Sequence, residues 1–162
     1  PGVRSFCFTG GTAAAYCLCY AKEHVFPSSW FDDTVLMRTD MHYVWPADSK
    51  TNNDKSNFPL GYVRPTPTSM SYNGTKIGRS DAIKNFGYIG AKDTLVASNN
   101  STFNKVFEPI DSFKGDFARA YLYVATRYGD RIANWKNLDA IGSKVISNTS
   151  YTGLEPWIYS YV

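Results

Sequence analysis

Two histidines, His24 and His42, and three cysteines, Cys7, Cys17 and Cys19, are all that the 162-residue chain has of either type. An odd cysteine count excludes a fully paired intrachain framework, so at least one thiol is free or bonded outside the chain. Cys17 and Cys19 are too close for a comfortable mutual bridge, whereas Cys7 with either would close a short N-terminal loop suited to an oxidising compartment. Burial as small hydrophobes is the equal alternative. No second Cys/His pair follows at ligand spacing, which leaves Cys17-x-Cys19 little support as a soft-metal site. Long apolar runs are also missing, and with them any membrane-spanning helix. Nor is there a polybasic run. The 17 Lys and Arg against 14 Asp and Glu give a net charge of +3 spread along the chain, so affinity for an anionic polymer has to come from a shaped groove. Internal repeats are absent.

What is present is an ordinary globular composition with an aromatic excess. Hydrophobic residues at 43% and charged ones at 19% exclude a disordered chain, and aromatics at 16% predict a core of packed rings. The length suits a single domain, residues 1–162. Residues 111–128 carry the clearest helix. Phe113, Phe117, Tyr121, Val124 and Tyr128 recur on one stripe, Asp111 or Ser112 stands ready to cap it, and Gly129 to supply its C-terminal turn. Residues 35–44 read as a strand or pre-strand loop and 47–57 as a polar loop. Residues 3–8 and 14–20 read as short apolar runs around a turn, and 64–104 as hairpins or irregular loops. Pro156 sits where a helix would begin at the very end of the sequence. A domain seldom ends as a helix starts, so a further C-terminal part is expected.

The chemistry concentrates in KEHVFPSSW, residues 22–30. An imidazole is the best general base near neutral pH, and a carboxylate with an amide oxygen makes a hard donor set suited to Mg²⁺. His24, Glu23 and, across the polar loop, Asn57 supply these three groups. Together they suit phosphodiester hydrolysis, in which a hard cation stabilises charge at phosphorus while the histidine takes a proton from water. Adjacent strand residues face opposite sides, so convergence of Glu23 and His24 predicts an irregular strand near Pro27. A zinc hydrolase built on His24, His42 and Asp40 is weaker, because the histidines lie too far apart for a compact ligand motif. Trp30 and Trp45 offer faces for base stacking, but their surroundings favour a structural role.

The blocks EHVFPSSWF (23–31), TDMHYVWPADSKTNNDKSNFPLG (39–61) and FEPIDSFKGDFARAYLYVATRY (107–128) resemble, in order and spacing, the bacterial endonuclease I family. These are nonspecific extracellular or periplasmic nucleases of the ββα-metal, or His-Me finger, class. The resemblance implies an α+β fold with a ββα-metal core, additional helices and irregular loops. It implies secretion or a periplasmic location, DNA or RNA as substrate, no membrane partner, a monomer, and products ending in 5′-phosphate. His24 becomes the general base. Glu23 and Asn57, the latter expected at the start of a short helix, become ligands to Mg²⁺ or to another divalent cation such as Mn²⁺ or Ca²⁺.

Departures from the family pattern matter as well. Lys22 and Lys55 stand where relatives carry arginine, so a phosphate contact there would keep its charge and lose its bidentate fork; Lys55 joins His24 as a candidate catalytic group. Asp40 and His42 are expected to brace the metal-bearing loop. The family pattern also runs on beyond the segment around Pro156-Trp157. The competing function is a noncatalytic, secreted, aromatic-rich binding module on a nuclease scaffold, against which the joint presence of Glu23, His24 and Asn57 argues.

Overall fold

The computed structural model describes residues 16, 19–31, 35–63, 65, 69–70, 73–79 and 105–161. The expected run at 3–8, and most of those at 14–20 and 64–104, lie outside these. Strand β1 (Tyr20–His24) pairs antiparallel with β2 (Val44–Asp48), in a register that sets Glu23 opposite Trp45 and His24 opposite Val44. Helix α2 (Ser49–Lys55) follows β2 at once and packs on both strands. A second antiparallel sheet runs β3 (Ser69–Met70), β4 (Lys76–Arg79), β5 (Lys105–Glu108). The long α3 (Asp111–Arg127) comes next, then the short helices α4 (Gly129–Ile132) and α5 (Gly142–Val145), and a 3₁₀ turn at Pro156–Ser160. The architecture is α+β, as expected. Among the described residues no helix is long and apolar enough to cross a membrane.

Several local expectations need correction. Of the strand or pre-strand loop foreseen over 35–44, the first part is a one-turn helix, α1 (Val35–Arg38), turns follow ahead of the strand, and extended backbone begins only at Val44. Strand β2 then runs through Pro46, which has no N–H to give. This is tolerated because β2 has a single partner strand. The polar loop at 47–57 is mostly helix. Asp48 caps it by accepting from the Thr51 amide at 2.9 Å, Lys50 and Asp54 form an i,i+4 pair, and Lys55 is drawn into the interior. Polarity hid a helix held by its cap and its tertiary contacts.

Asn57 accordingly lies just past the end of α2 and not at a helix start. Helix α3 begins after Ile110 with no side-chain cap, and its stripe loses Phe113, which is 49% exposed, and gains Ala120. Gly129 opens α4 and does not end α3 in a left-handed turn; Tyr128 is the C-cap, in an ordinary conformation.

The core is the predicted cluster of rings. Phe26 meets Trp30 edge-on at 5.1 Å and Tyr121 at 5.4 Å, and Phe31 joins Tyr43 to Trp135. Trp30 is wholly buried and Trp45 packs edge-on against Phe117, so both serve the scaffold. The α5 turn comes close enough to Trp30 that a Cβ on Gly142 would stand 2.7 Å from its ring. Gly142→Ala is therefore expected to lower stability by about 1–3 kcal/mol, measured by urea unfolding.

Candidate active site

The strand pattern sends alternate side chains of β1 to opposite faces, and pairing is regular through His24. The irregularity expected there is absent. Glu23 and His24 nevertheless both line one open cleft of about 420 Å³, because the cleft forms around the end of the strand; Lys22, Ser29, Asn52 and Asn57 complete its polar wall. The structure thus brings together four of the residues expected from sequence: Lys22, Glu23, His24 and Asn57. A second, mainly apolar cavity of about 230 Å³ lies beside Glu23 and Lys55, walled by Trp45, Phe107 and Phe117.

His24 is held by backbone. Its Nε2 lies 3.0 Å from the Arg38 carbonyl oxygen, which can only accept, so Nε2 carries the proton and Nδ1 is the basic nitrogen of the neutral ring. Phe31 and Tyr43 flank the imidazole at 6.4 and 6.3 Å. The buried Tyr43 hydroxyl donates to the Met37 carbonyl, and the Val25 amide donates to the Tyr43 carbonyl at 3.0 Å. Burial pushes the Tyr43 phenol well above its ordinary range, so it stays a neutral donor. The segment carrying the Arg38 carbonyl is therefore tied to β1 on one side.

Asp40 ties it on the other. Its Oδ2 accepts from Tyr128 at 2.7 Å and Tyr123 at 2.9 Å, and its Oδ1 from the His42 amide at 3.0 Å and the His42 ring at 2.9 Å. Burial alone would raise this carboxyl, but the hydrogen bonds from Tyr128, His42 and Tyr123 outweigh it and lower the pKa to about 2. His42 stacks on Tyr123 at 4.7 Å and remains largely in solvent. Asp40 and His42 thus brace the segment that orients His24, and Asn57 stands on a separate one.

Glu23 is buried on the other face of β1, and Lys55, only 1% exposed, reaches it from the end of α2. Nζ lies 2.6 Å from Glu23 Oε1 and 3.3 Å from the His24 carbonyl oxygen. The contact at Oε1 is a buried ion pair. Burial pushes the Glu23 carboxyl up, and the Lys55 ammonium opposes the rise. Lys55, expected at the phosphate, instead lies against Glu23 and is not part of the cleft wall.

Asn57 follows Ser56, whose φ of 50° makes it the one non-glycine in left-handed backbone among the described residues. Such a conformation costs about 1 kcal/mol and persists where surrounding contacts impose it. Here the Ser56 amide closes α2 on the Asn52 carbonyl at 3.1 Å. The Asn57 amide nitrogen donates to Asp139 Oδ2 at 3.0 Å and to Ser29 Oγ at 3.4 Å. Asp139 and the Arg38 carbonyl were not legible in the sequence, because one lies 82 positions from its partner and the other is backbone.

Among the described residues no three His, Cys, Asp or Glu side chains cluster as a metal site. The Glu23 carboxylate and the Asn57 amide are the cleft-wall groups that could hold a hard cation.

The family model for Endonuclease I matches residues 7–161. The chain belongs to the endonuclease I family. No curated protein and no solved structure matches this endonuclease I family member. Cys19 is disulfide-bonded, and both other cysteines lie outside the described residues.

Lys55→Ala would strand the Glu23 carboxylate in the interior. Stability is expected to fall by about 3–5 kcal/mol on chemical unfolding, and by less when Glu23→Gln accompanies it. Asp40 is a carboxyl whose folded pKa is depressed from 3.8 to about 2. Its stabilisation is complete above the unfolded value and disappears as pH falls through about 2. The urea midpoint should decline across that window, and the decline should be shallower in Asp40→Asn.

Proposed function

We propose that this protein is a metal-dependent, nonspecific endonuclease that hydrolyses phosphodiester bonds of DNA or RNA, leaving 5′-phosphate ends, with a ββα-metal core formed by β1, β2 and α2. The observation that carries the reading is the Nε2 contact of His24 with the Arg38 carbonyl, which leaves Nδ1 basic on a cleft shared with Glu23 and Asn57.

His24 Nδ1 takes the proton of the attacking water. The Arg38 carbonyl stabilises the imidazolium that results, because Nε2–H keeps an acceptor throughout. Lys22, exposed on the cleft wall, offers a positive charge to the substrate backbone.

The donor set fits a hard divalent cation. The Glu23 carboxylate and an amide oxygen of Asn57, both on the cleft wall, make a carboxylate-plus-amide pair of the type that Mg²⁺ uses beside water and phosphate. Mg²⁺, Mn²⁺ or Ca²⁺ so held would polarise a phosphate oxygen and offset charge on the leaving group. Lys55 holds the Glu23 charge in the meantime. The disulfide at Cys19 supports a secreted or periplasmic location.

Supercoiled plasmid incubated with the protein and Mg²⁺ should be nicked and then degraded, and EDTA should stop it. His24→Ala should lower kcat by about 10²–10⁴-fold while leaving Mn²⁺ binding intact. Asn57→Ala should weaken Mn²⁺ binding, and rising salt should weaken substrate binding. Intact plasmid after incubation with well-folded, Mg²⁺-supplied protein would overturn the reading.

A further inference from the structure

We propose that Asp139 is the positioning residue that decides which end of the Asn57 amide faces the cleft, and that only a carboxylate at 139 does this. The proposal rests on the reading of Asn57 as a cation ligand.

The two ends of a primary amide are nearly the same size, so packing does not tell them apart; only the donor or acceptor character of a neighbour does. Asp139 is fixed before it meets Asn57. Its Oδ1 accepts from the backbone amides of Ile141 at 2.8 Å and Gly142 at 2.7 Å, which open α5. That turn is in turn seated on the buried Trp30 through the close approach at Gly142. The second oxygen, Oδ2, is left to meet Asn57 Nδ2 at 3.0 Å. A carboxylate only accepts, so it admits the NH₂ end of Asn57 and rejects the oxygen. Ser29, the other contact of Nδ2, carries a hydroxyl that donates or accepts and does not discriminate. With Nδ2 engaged, the Asn57 carbonyl oxygen keeps, among the described residues, only the Ser56 hydroxyl at 3.5 Å and is available to a cation. Asn57 is thus oriented from a turn that lies 82 positions further along the chain.

Asp139→Asn separates this role from the bonds that Asp139 makes to the turn before α5. Asparagine accepts from turn amides as aspartate does, but it has one oxygen. The two backbone amides of the α5 turn keep that oxygen, so the new NH₂ faces Asn57. Two NH₂ groups cannot bond, and Asn57 turns over, presenting nitrogen to the cleft.

The test is Mn²⁺ titration of the full chain, by calorimetry or by the EPR signal of free Mn²⁺, for wild type, Asn57→Ala and Asp139→Asn. Asp139→Asn should unfold at nearly the wild-type midpoint, yet its Mn²⁺ dissociation constant should rise about tenfold or more, as for other groups that orient metal ligands. If Asn57→Ala loses Mn²⁺ affinity while Asp139→Asn binds as wild type, this inference is overturned and the nuclease reading stands. If Asn57→Ala binds as wild type, Asn57 is no ligand, and both fail. In wild type, hydrogen exchange of the Asn57 side-chain amide reads the same contact without substitution. A protected Nδ2 proton is expected, and unprotected exchange at both would overturn the proposal even if the variant fails to fold.

Discussion

The ion pair between Glu23 and Lys55 holds the site together. Both groups are almost wholly buried, one on β1 and the other at the end of α2, so neither is stable there without its partner. Their contact fixes how α2 lies on the two-stranded sheet. By fixing the end of α2, it also places Ser56 and Asn57 opposite the end of β1. The cleft is a consequence of that docking. A charge pair of this kind is a costly way to join a helix to a sheet when two apolar side chains would do as well. Its use beside an imidazole and an amide makes sense if Glu23 has to remain a carboxylate.

Around that pair the site is built from three supports. The Arg38 carbonyl sets the tautomer of His24, and Asp40, through Tyr123 and Tyr128, anchors the segment bearing that carbonyl to α3. Asp139 holds Asn57 from the turn before α5. The first two lie on one segment and the third on another, and each is a hydrogen bond to a group with a single possible polarity, a carbonyl or a carboxylate. Such partners orient a side chain more strictly than hydroxyls do, since hydroxyls bond in either sense.

The order of the elements in space follows from where apolar rings have to go. Phe26, Trp30 and Phe31 leave β1 and plunge into the cluster made by Tyr43, Tyr121 and Trp135. The stretch KEHVFPSSW therefore has two halves, a polar one that ends the strand at the cleft and an aromatic one that anchors it.

Much of this was readable from residues alone. The α3 periodicity and the aromatic core follow from side-chain type and order, and the candidate set of Glu23, His24 and Asn57 from the donor character of carboxylate, imidazole and amide, because these are local properties; the α+β class was implied by the resemblance of the three sequence blocks to a family. The helix at Ser49–Lys55 was not readable, since its seven residues are all polar and their helical state depends on the Asp48 cap and on Lys55 meeting Glu23. Likewise the inward turn of Lys55, the Arg38 carbonyl at His24 and the Asp139 contact to Asn57 join residues distant in sequence or enlist backbone. What the sequence by itself determined was which chemical groups were present and which residues had to be buried. Which oxygen faces which nitrogen was decided only by tertiary structure, because hydrogen-bond partners are chosen by position and direction, and those exist only once the chain has folded.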